Sequence, residues 1–433
     1  MYRAIGDGGS AVDRMVLYDR RSASFHIYHP VPLFPLHTFL IAYYRPIVEG
    51  ICLRGDYTGS MQYKRLLVVI GILLALAGLA LLAVRPLSRM FTEPTASTIR
   101  NEVDDTAAVE TFAQELTVPW GLAFLPDGDV LVTERSGTLR RVGQDRQVHT
   151  IEGVRHTSEG GLLGLALDPK FGDNQRIYLY MTTQTGNALT NRIERYRYDG
   201  RKLTDRAVIL GNIPGERNHD GGRIAFGPDG YLYVAVGDAQ VERSAQDKAA
   251  LSGKILRLTT EGAPAPGNPF NTAIYSYGHR NPQGLAWDDK GQLWATEHGR
   301  SGAGTTGYDE LNLIKPGANY GWPDYEGDEA ASGMTPPVAH SGPDETWAPG
   351  GLAYADGSLY FGGLRGQRLY QARIGTDNTV SLTTRYAEQF GRLRTTVVHD
   401  SSIYLTTSNN DGRGQPNAGD DKILRIKLKD AGQ

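Results

Sequence analysis

One pattern recurs six times across the C-terminal three-quarters of this chain, and it constrains the fold more than any other feature. Each copy has a β-rich triplet, a turn containing Asp and usually Gly, and a strongly β-forming stretch. The copies are LAFLPDGDVLVTE from Leu122, LALDPKFGDNQRIYLYMTT from Leu165, IAFGPDGYLYVAVGD from Ile224, LAWDDKGQLWATEHG from Leu285, LAYADGSLYFGGL from Leu352 and VVHDSSIYLTTSN from Val397. Several are followed by a further strand in which apolar and basic residues alternate, such as GTLRRV at Gly137, GKILRL at Gly253 and DKILRIKL at Asp421. Period-two alternation marks strands with one face buried. The Asp-Gly turns are hairpin signals, because Gly supplies positive φ. Copies start roughly 43 to 67 residues apart, in the range of propeller blades. A lone blade cannot bury both its faces, whereas stacking around an axis does so and leaves only short edges. The expected fold is therefore all-β, a six-bladed β-propeller over residues 107–430, with the run TFAQEL at Thr111 as an outer strand beside the last repeat. A solenoid of six stacked units is the alternative. Uneven spacing favours the propeller, whose long insertions can build a site on one face.

The rest of the composition narrows the function classes. The formal net charge is -3 and no basic run appears, which excludes nucleic acid as a partner. The single cysteine, Cys52, lies outside the repeats, so they hold no disulfide framework and no Cys-based metal site. Residues 66–84, LLVVIGILLALAGLALLAV, form an apolar run behind Lys64 and Arg65. Its length is close to the ~20 residues that span a bilayer, and the preceding charges fit a chain that exports its C-terminus. Residues 61–85 are read as a membrane anchor, with a cleavable signal peptide as the alternative. The propeller is then expected at the periplasmic or extracellular face of the cell membrane, or secreted if the segment is cleaved. Residues 1–60 show no periodicity and precede Met61, where a targeting segment would normally begin, so they are read as a mis-called or disordered extension. Residues 86–106, polar and containing Pro86 and Pro94, are read as a linker.

The chemistry is expected in the loops. His219, in PGERNHDGGRIAFG, is a candidate general base, imidazole being the side chain that exchanges protons near neutral pH. If the next hairpin returns to the same face, Asp238 can bond the far ring nitrogen and fix the tautomer. A solvent-exposed loop histidine is the alternative. In YSYGHRNPQGLAW, Arg280 and Asn281 precede Pro282, which restricts Asn281 to extended backbone. A rigid guanidinium and amide suit an anionic or carbonyl group; pairing of the arginine with a carboxylate of a neighbouring blade is the other possibility. Arg392 and Arg394 alternate along a strand and so share a face, either around an anion or in solvent. Arg365 adds a fourth cation. If these loops share one face, their guanidiniums predict a polyanionic ligand. The Gly-rich loop from Thr296 carries Asp309, Glu310, Tyr320, Asp324, Glu326, Asp328 and Glu329, oxygen donors that suit Ca²⁺, or simply an acidic surface loop.

Five motifs, EGGLLGLALDPKF, NHDGGRIAFGPDG, GHRNPQGLAW, DELNLIKPGANYGWP and GRLRTTVV, resemble the soluble PQQ-dependent glucose and aldose sugar dehydrogenases. The resemblance runs in order over nearly the whole repeat region, and that family is a six-bladed β-propeller. It implies His219 as the base that takes the anomeric hydroxyl proton, Asp238 as the acid that orients it, and Arg280 as the group that polarises the cofactor carbonyl. It implies Asn281, Thr346, Arg365, Arg392 and Arg394 as further PQQ contacts, and Glu159 beside the sugar, where the glucose enzyme has glutamine. It implies a Ca²⁺ bridging PQQ to the carbonyls of Gly299 and Arg300, and a structural Ca²⁺ at Glu310 and Tyr320. Arg300 stands where the glucose enzyme has proline, and the loop is longer. The resulting expectation is oxidation of an aldose at C1 to its lactone, with electrons passed on to a quinone or cytochrome. The alternatives are a Ca²⁺-dependent propeller lactonase, which needs an axial metal held by carboxylates and Asn, and a non-catalytic propeller that binds a glycan or protein.

Overall fold

The structure is a computed structural model that describes residues 15–19, 24–28, 100–102, 108–301, 307–329 and 331–428. The chain divides into two units, Met1–Phe91 and Thr92–Gln433. In the first, Met15–Asp19 and Ser24–Tyr28 pair as an antiparallel hairpin, so the extension read as lacking periodicity holds two short β-forming runs, MVLYD and SFHIY. The apolar run 66–84 lies outside the described residues. Among the described residues no helix is long and apolar enough to cross a membrane.

The second unit is a six-bladed β-propeller built from one sheet per repeat. Its inner strands are Pro119–Phe124, Leu162–Leu167, Ile224–Phe226, Pro282–Trp287, Pro349–Ala355 and Leu393–His399. Each opens an antiparallel meander that runs outward, and neighbouring blades touch in ring order until the sixth inner strand meets the first. The ring closes with chain from both ends. Val109–Ala113 pairs antiparallel with Ile423–Lys427 as the outer strand of the last blade. Within the expected linker, Arg100–Glu102 adds a short parallel strand to Val380–Arg385 of the fifth blade.

There is no single core. Apolar faces meet between each pair of blades: Leu122, Val130 and Val132 pack on Tyr404 and Ile423 across the closure, and Tyr233 and Ile255 pack on Leu293 and Ala295 between blades three and four. Burial of each large aliphatic or aromatic side chain contributes about 1.5–3 kcal/mol, and the contributions are spread round the ring. Near the axis the blades taper until only glycine fits. A Cβ on Gly164 would lie 2.2 Å from the carbonyl oxygen of Gly222, and one on Gly350 would lie 1.9 Å from that of Arg394. The recurrent Gly at the inner-strand starts therefore lets adjacent backbones meet, and brings the segments before those strands to one mouth.

Candidate active site

The segments entering the inner strands line one cavity of about 710 Å³. Glu159 comes from the approach to blade two, His219 from that to blade three, Arg280 and Asn281 from that to blade four, Thr346 from that to blade five and Arg392 from that to blade six. Gly299, Arg300, Arg365 and Arg394 also line it. Asp238, Glu310 and Tyr320 do not.

His219 occupies the left-handed region at φ 64, a conformation seldom adopted without a reason at the site. Gly221 and Gly222 follow it, also at positive φ, and Gly237 lets the returning strand pass against it, since a Cβ there would lie 1.9 Å from the His219 carbonyl oxygen. The hairpin thus delivers Asp238 beneath the ring. His219 Nδ1 lies 2.8 Å from Asp238 Oδ1. A carboxylate only accepts, so Nδ1 carries the proton and Nε2 keeps a lone pair. Asp238 is fully buried. Its Oδ1 also accepts from the Gln240 amide at 2.8 Å, and its Oδ2 accepts from Trp322 Nε1 at 2.9 Å.

Arg280 is 6% exposed. Its guanidinium donates to the His298 carbonyl at 3.3 Å and to Ser301 Oγ at 3.1 Å, and lies 5.3 Å from the Trp322 ring centroid. Asn281 Oδ1 accepts from the Gly221 amide at 3.0 Å, which leaves its buried Nδ2 without a partner at the cavity wall. Beside them His298 donates from Nε2 to the Pro349 carbonyl at 2.9 Å, and burial pushes its imidazole down to about 3, so it stays neutral.

The cation excess is smaller than the sequence suggests, because acids distant in the chain reach the site. Arg392 binds Asp411 Oδ2 through two nitrogens, at 3.0 and 2.9 Å, and Arg394 lies 3.7 Å from the same oxygen. Arg300 pairs with Glu326 at 2.6 Å. Arg413 spans from the last blade to Glu159 Oε1 at 2.8 Å and to Asn218 Oδ1 at 3.2 Å. Burial opposes ionisation of Glu159, but Arg413 and the His219 amide outweigh it and hold the carboxyl down at about 2. Arg280, and Arg394 at about 9, are pulled down mainly by burial. These buried guanidiniums, with the orphaned amide of Asn281, fit an anionic, carbonyl-bearing ligand.

The proposed metal positions fall at two adjoining cavities, with Gly299 lining both. Gly299 and Arg300 stand at the main cavity, where the Arg300 carbonyl already accepts from the Gly307 amide at 3.2 Å. Glu310 and Tyr320 line a second cavity of about 10 Å³ with Glu297 and Glu326. The Tyr320 hydroxyl is taken up by backbone, donating to the Leu313 carbonyl and accepting from the Lys315 amide. Burial, with Glu297 nearby, pushes Glu310 up to about 8. A hard cation among these oxygens would relieve that pair. Among the described residues no three acidic or histidine side chains form a ready metal cluster.

Residues 116–424 match the glucose/sorbosone dehydrogenase family model. The chain belongs to this family. It is therefore an oxidoreductase. It is 42% identical to the PQQ-bound form of an aldose sugar dehydrogenase from Streptomyces coelicolor, with TM-score 0.68 over 74% of this chain and 98% of that one. It is 45% identical to an oxidoreductase described as a glucose dehydrogenase from Thermus thermophilus, with TM-score 0.70 over 74% of this chain and 99% of that one. It is 37% identical to the aldose sugar dehydrogenase of Escherichia coli over half of this chain and 62% of that protein. In this family member, four further residues organise the site, three of them not singled out by motif reading and the fourth, Asp309, read there as an oxygen donor for Ca²⁺. Trp322 secures Asp238, and Asp411 and Arg413 tie the last blade to the cavity. Asp309 fastens two loops by accepting from the Gly299, Trp347 and Ala348 amides at 2.7 to 3.0 Å. Asp309 and Trp322 lay within a motif already noticed, whereas nothing local marks Asp411 or Arg413.

Proposed function

We propose that this chain oxidises an aldose at C1 to the lactone with PQQ as cofactor. The observation that carries the reading is the Asp238–His219 pair, which leaves a basic Nε2 in a cavity shared with the buried guanidinium of Arg280. Arg280, Asn281, Thr346, Arg365, Arg392 and Arg394 would hold the cofactor, and PQQ when bound supplies the acceptor for the two electrons and hydrogen lost from C1. His219 takes the C1 hydroxyl proton on Nε2, and Asp238 stabilises the resulting imidazolium. Glu159, kept ionised by Arg413, accepts hydrogen bonds from other sugar hydroxyls. The carbonyls of Gly299 and Arg300 would hold one Ca²⁺, and the Glu310 and Tyr320 site a second. Electrons leave to a quinone or cytochrome, and residues 66–84 tether the enzyme at the outer face of the cell membrane.

The test is reconstitution of the purified chain with PQQ and Ca²⁺, then dye reduction over a panel of aldoses. Activity with at least one aldose, reduced about 10²–10⁴-fold in His219→Ala at unchanged PQQ affinity, supports the reading. No reduction with any aldose, or a His219→Ala enzyme as active as the parent, overturns it.

A further inference from the structure

The proposed chemistry leaves the buried charge of Arg223 unused. Arg223 follows Gly222 and is 9% exposed. Its Nε donates to the Gln283 carbonyl at 2.9 Å, and a terminal nitrogen donates to Thr395 Oγ1 at 3.1 Å. Its guanidinium carbon lies 4.3 Å from the Trp120 ring centroid. These contacts satisfy donors, and the ring offers a weak negative face, but none is a counter-charge. Burial alone shifts Arg223, down to about 9, with no acidic neighbour among the described residues opposing it. The side chain therefore stays charged at neutral pH. A buried, unneutralised charge is costly unless something compensates it.

Its partners show where the compensation belongs. Trp120 and Gln283 both line the large cavity. Gln283 Oε1 accepts from Arg394 Nη1 at 3.3 Å, and Thr395 follows Arg394 in the sixth inner strand. Arg223 thus stands one residue behind the wall that carries Arg394. Arg300, Arg392 and Arg413 each spend their charge on a nearby acid. The field of Arg223 is not cancelled in that way, and low-dielectric surroundings carry it into the cavity.

We propose that Arg223 is a positioning residue for the anionic cofactor, holding a polycarboxylate against Arg394 without touching it. This rests on the PQQ reading above. The test is a PQQ titration of the apoprotein, followed by absorbance, for the parent, Arg223→Gln and Arg223→Lys, with melting curves of each apoprotein. Arg223→Met, which keeps the stem on Trp120, replaces the Gln variant if that does not fold. Loss of the charge is expected to weaken PQQ about tenfold or more, and Arg223→Lys to stay within about threefold of the parent. A folded neutral variant with unchanged Kd overturns the proposal, as does a lowered apoprotein Tm with parental Kd, the signature of a purely structural arginine. A Lys variant as weak as the neutral one also overturns it. If the parent itself takes no PQQ, the cofactor reading falls and the proposal falls with it; parental binding with unchanged variants overturns the proposal alone.

Discussion

At the scale of single residues, the site works by fixing each polar group through its buried neighbours. Trp322 shows this most clearly. Its ring lies under Arg280 and Arg300, at 5.3 and 5.0 Å, while its N–H holds Asp238. Trp322→Phe keeps the ring face and removes the hydrogen bond. Dye-reduction kinetics should show kcat lowered about 10- to 150-fold, the loss of one buried hydrogen bond to a charged group, with PQQ affinity unchanged. Asp220 makes a separate prediction. Burial pushes its carboxyl from 3.8 up to about 7, and Oδ2 has no partner. Because the folded value is the raised one, its contribution is fully present below pH ~4 and is lost as pH rises through about 7, by on the order of a few kcal/mol. Asp220→Asn removes that loss. Urea unfolding of the apoprotein should therefore show the variant gaining on the parent between pH 4.5 and pH 8; a constant difference would refute the assignment.

At the scale of elements, the ring depends on its closing strand and on the glycines beneath its mouth. Val109–Ala113 covers the edge of Ile423–Lys427, and Val109 and Phe112 pack into the clusters on either side of the last blade. Deleting the chain through Ala113 should destabilise the propeller by about 3 kcal/mol or more, seen as a lower Tm by calorimetry. Gly350 lies against the Arg394 carbonyl. Gly350→Ala must displace the strand that presents Arg394, so PQQ affinity should fall more than stability does, as measured by titration and melting of one preparation. The repeat made the blades legible because period-two alternation and Asp-Gly turns are local signals. The strand Arg100–Glu102 was not, because its three residues are all polar and carry no period-two alternation, so only pairing with Val380–Arg385 makes them a strand.

At the scale of the whole molecule, ligand binding and ring stability are one equilibrium. A ligand that binds only the folded ring stabilises it by about 2.7 kcal/mol at a hundredfold excess over Kd, so PQQ should raise the Tm. Chelation by EGTA should lower it, because Glu297 and Glu310 would then share a buried site without a cation. An unchanged Tm after exhaustive chelation would refute a structural Ca²⁺ there. The sequence by itself determined the repeat count, the closure, and much of the imidazole, amide and guanidinium lining of the mouth, because His219, Arg280, Asn281, Arg392 and Arg394 sit in short motifs at the starts of inner strands. Tertiary structure alone decided how those charges are spent. Glu159 meets Arg413 across 254 positions, Asp411 neutralises Arg392, and Arg223 is left without a counter-charge among the described residues behind the wall. Local sequence carries strand period and turn chemistry, but the field inside a cavity is summed over all six blades, and only the closed ring brings those charges together.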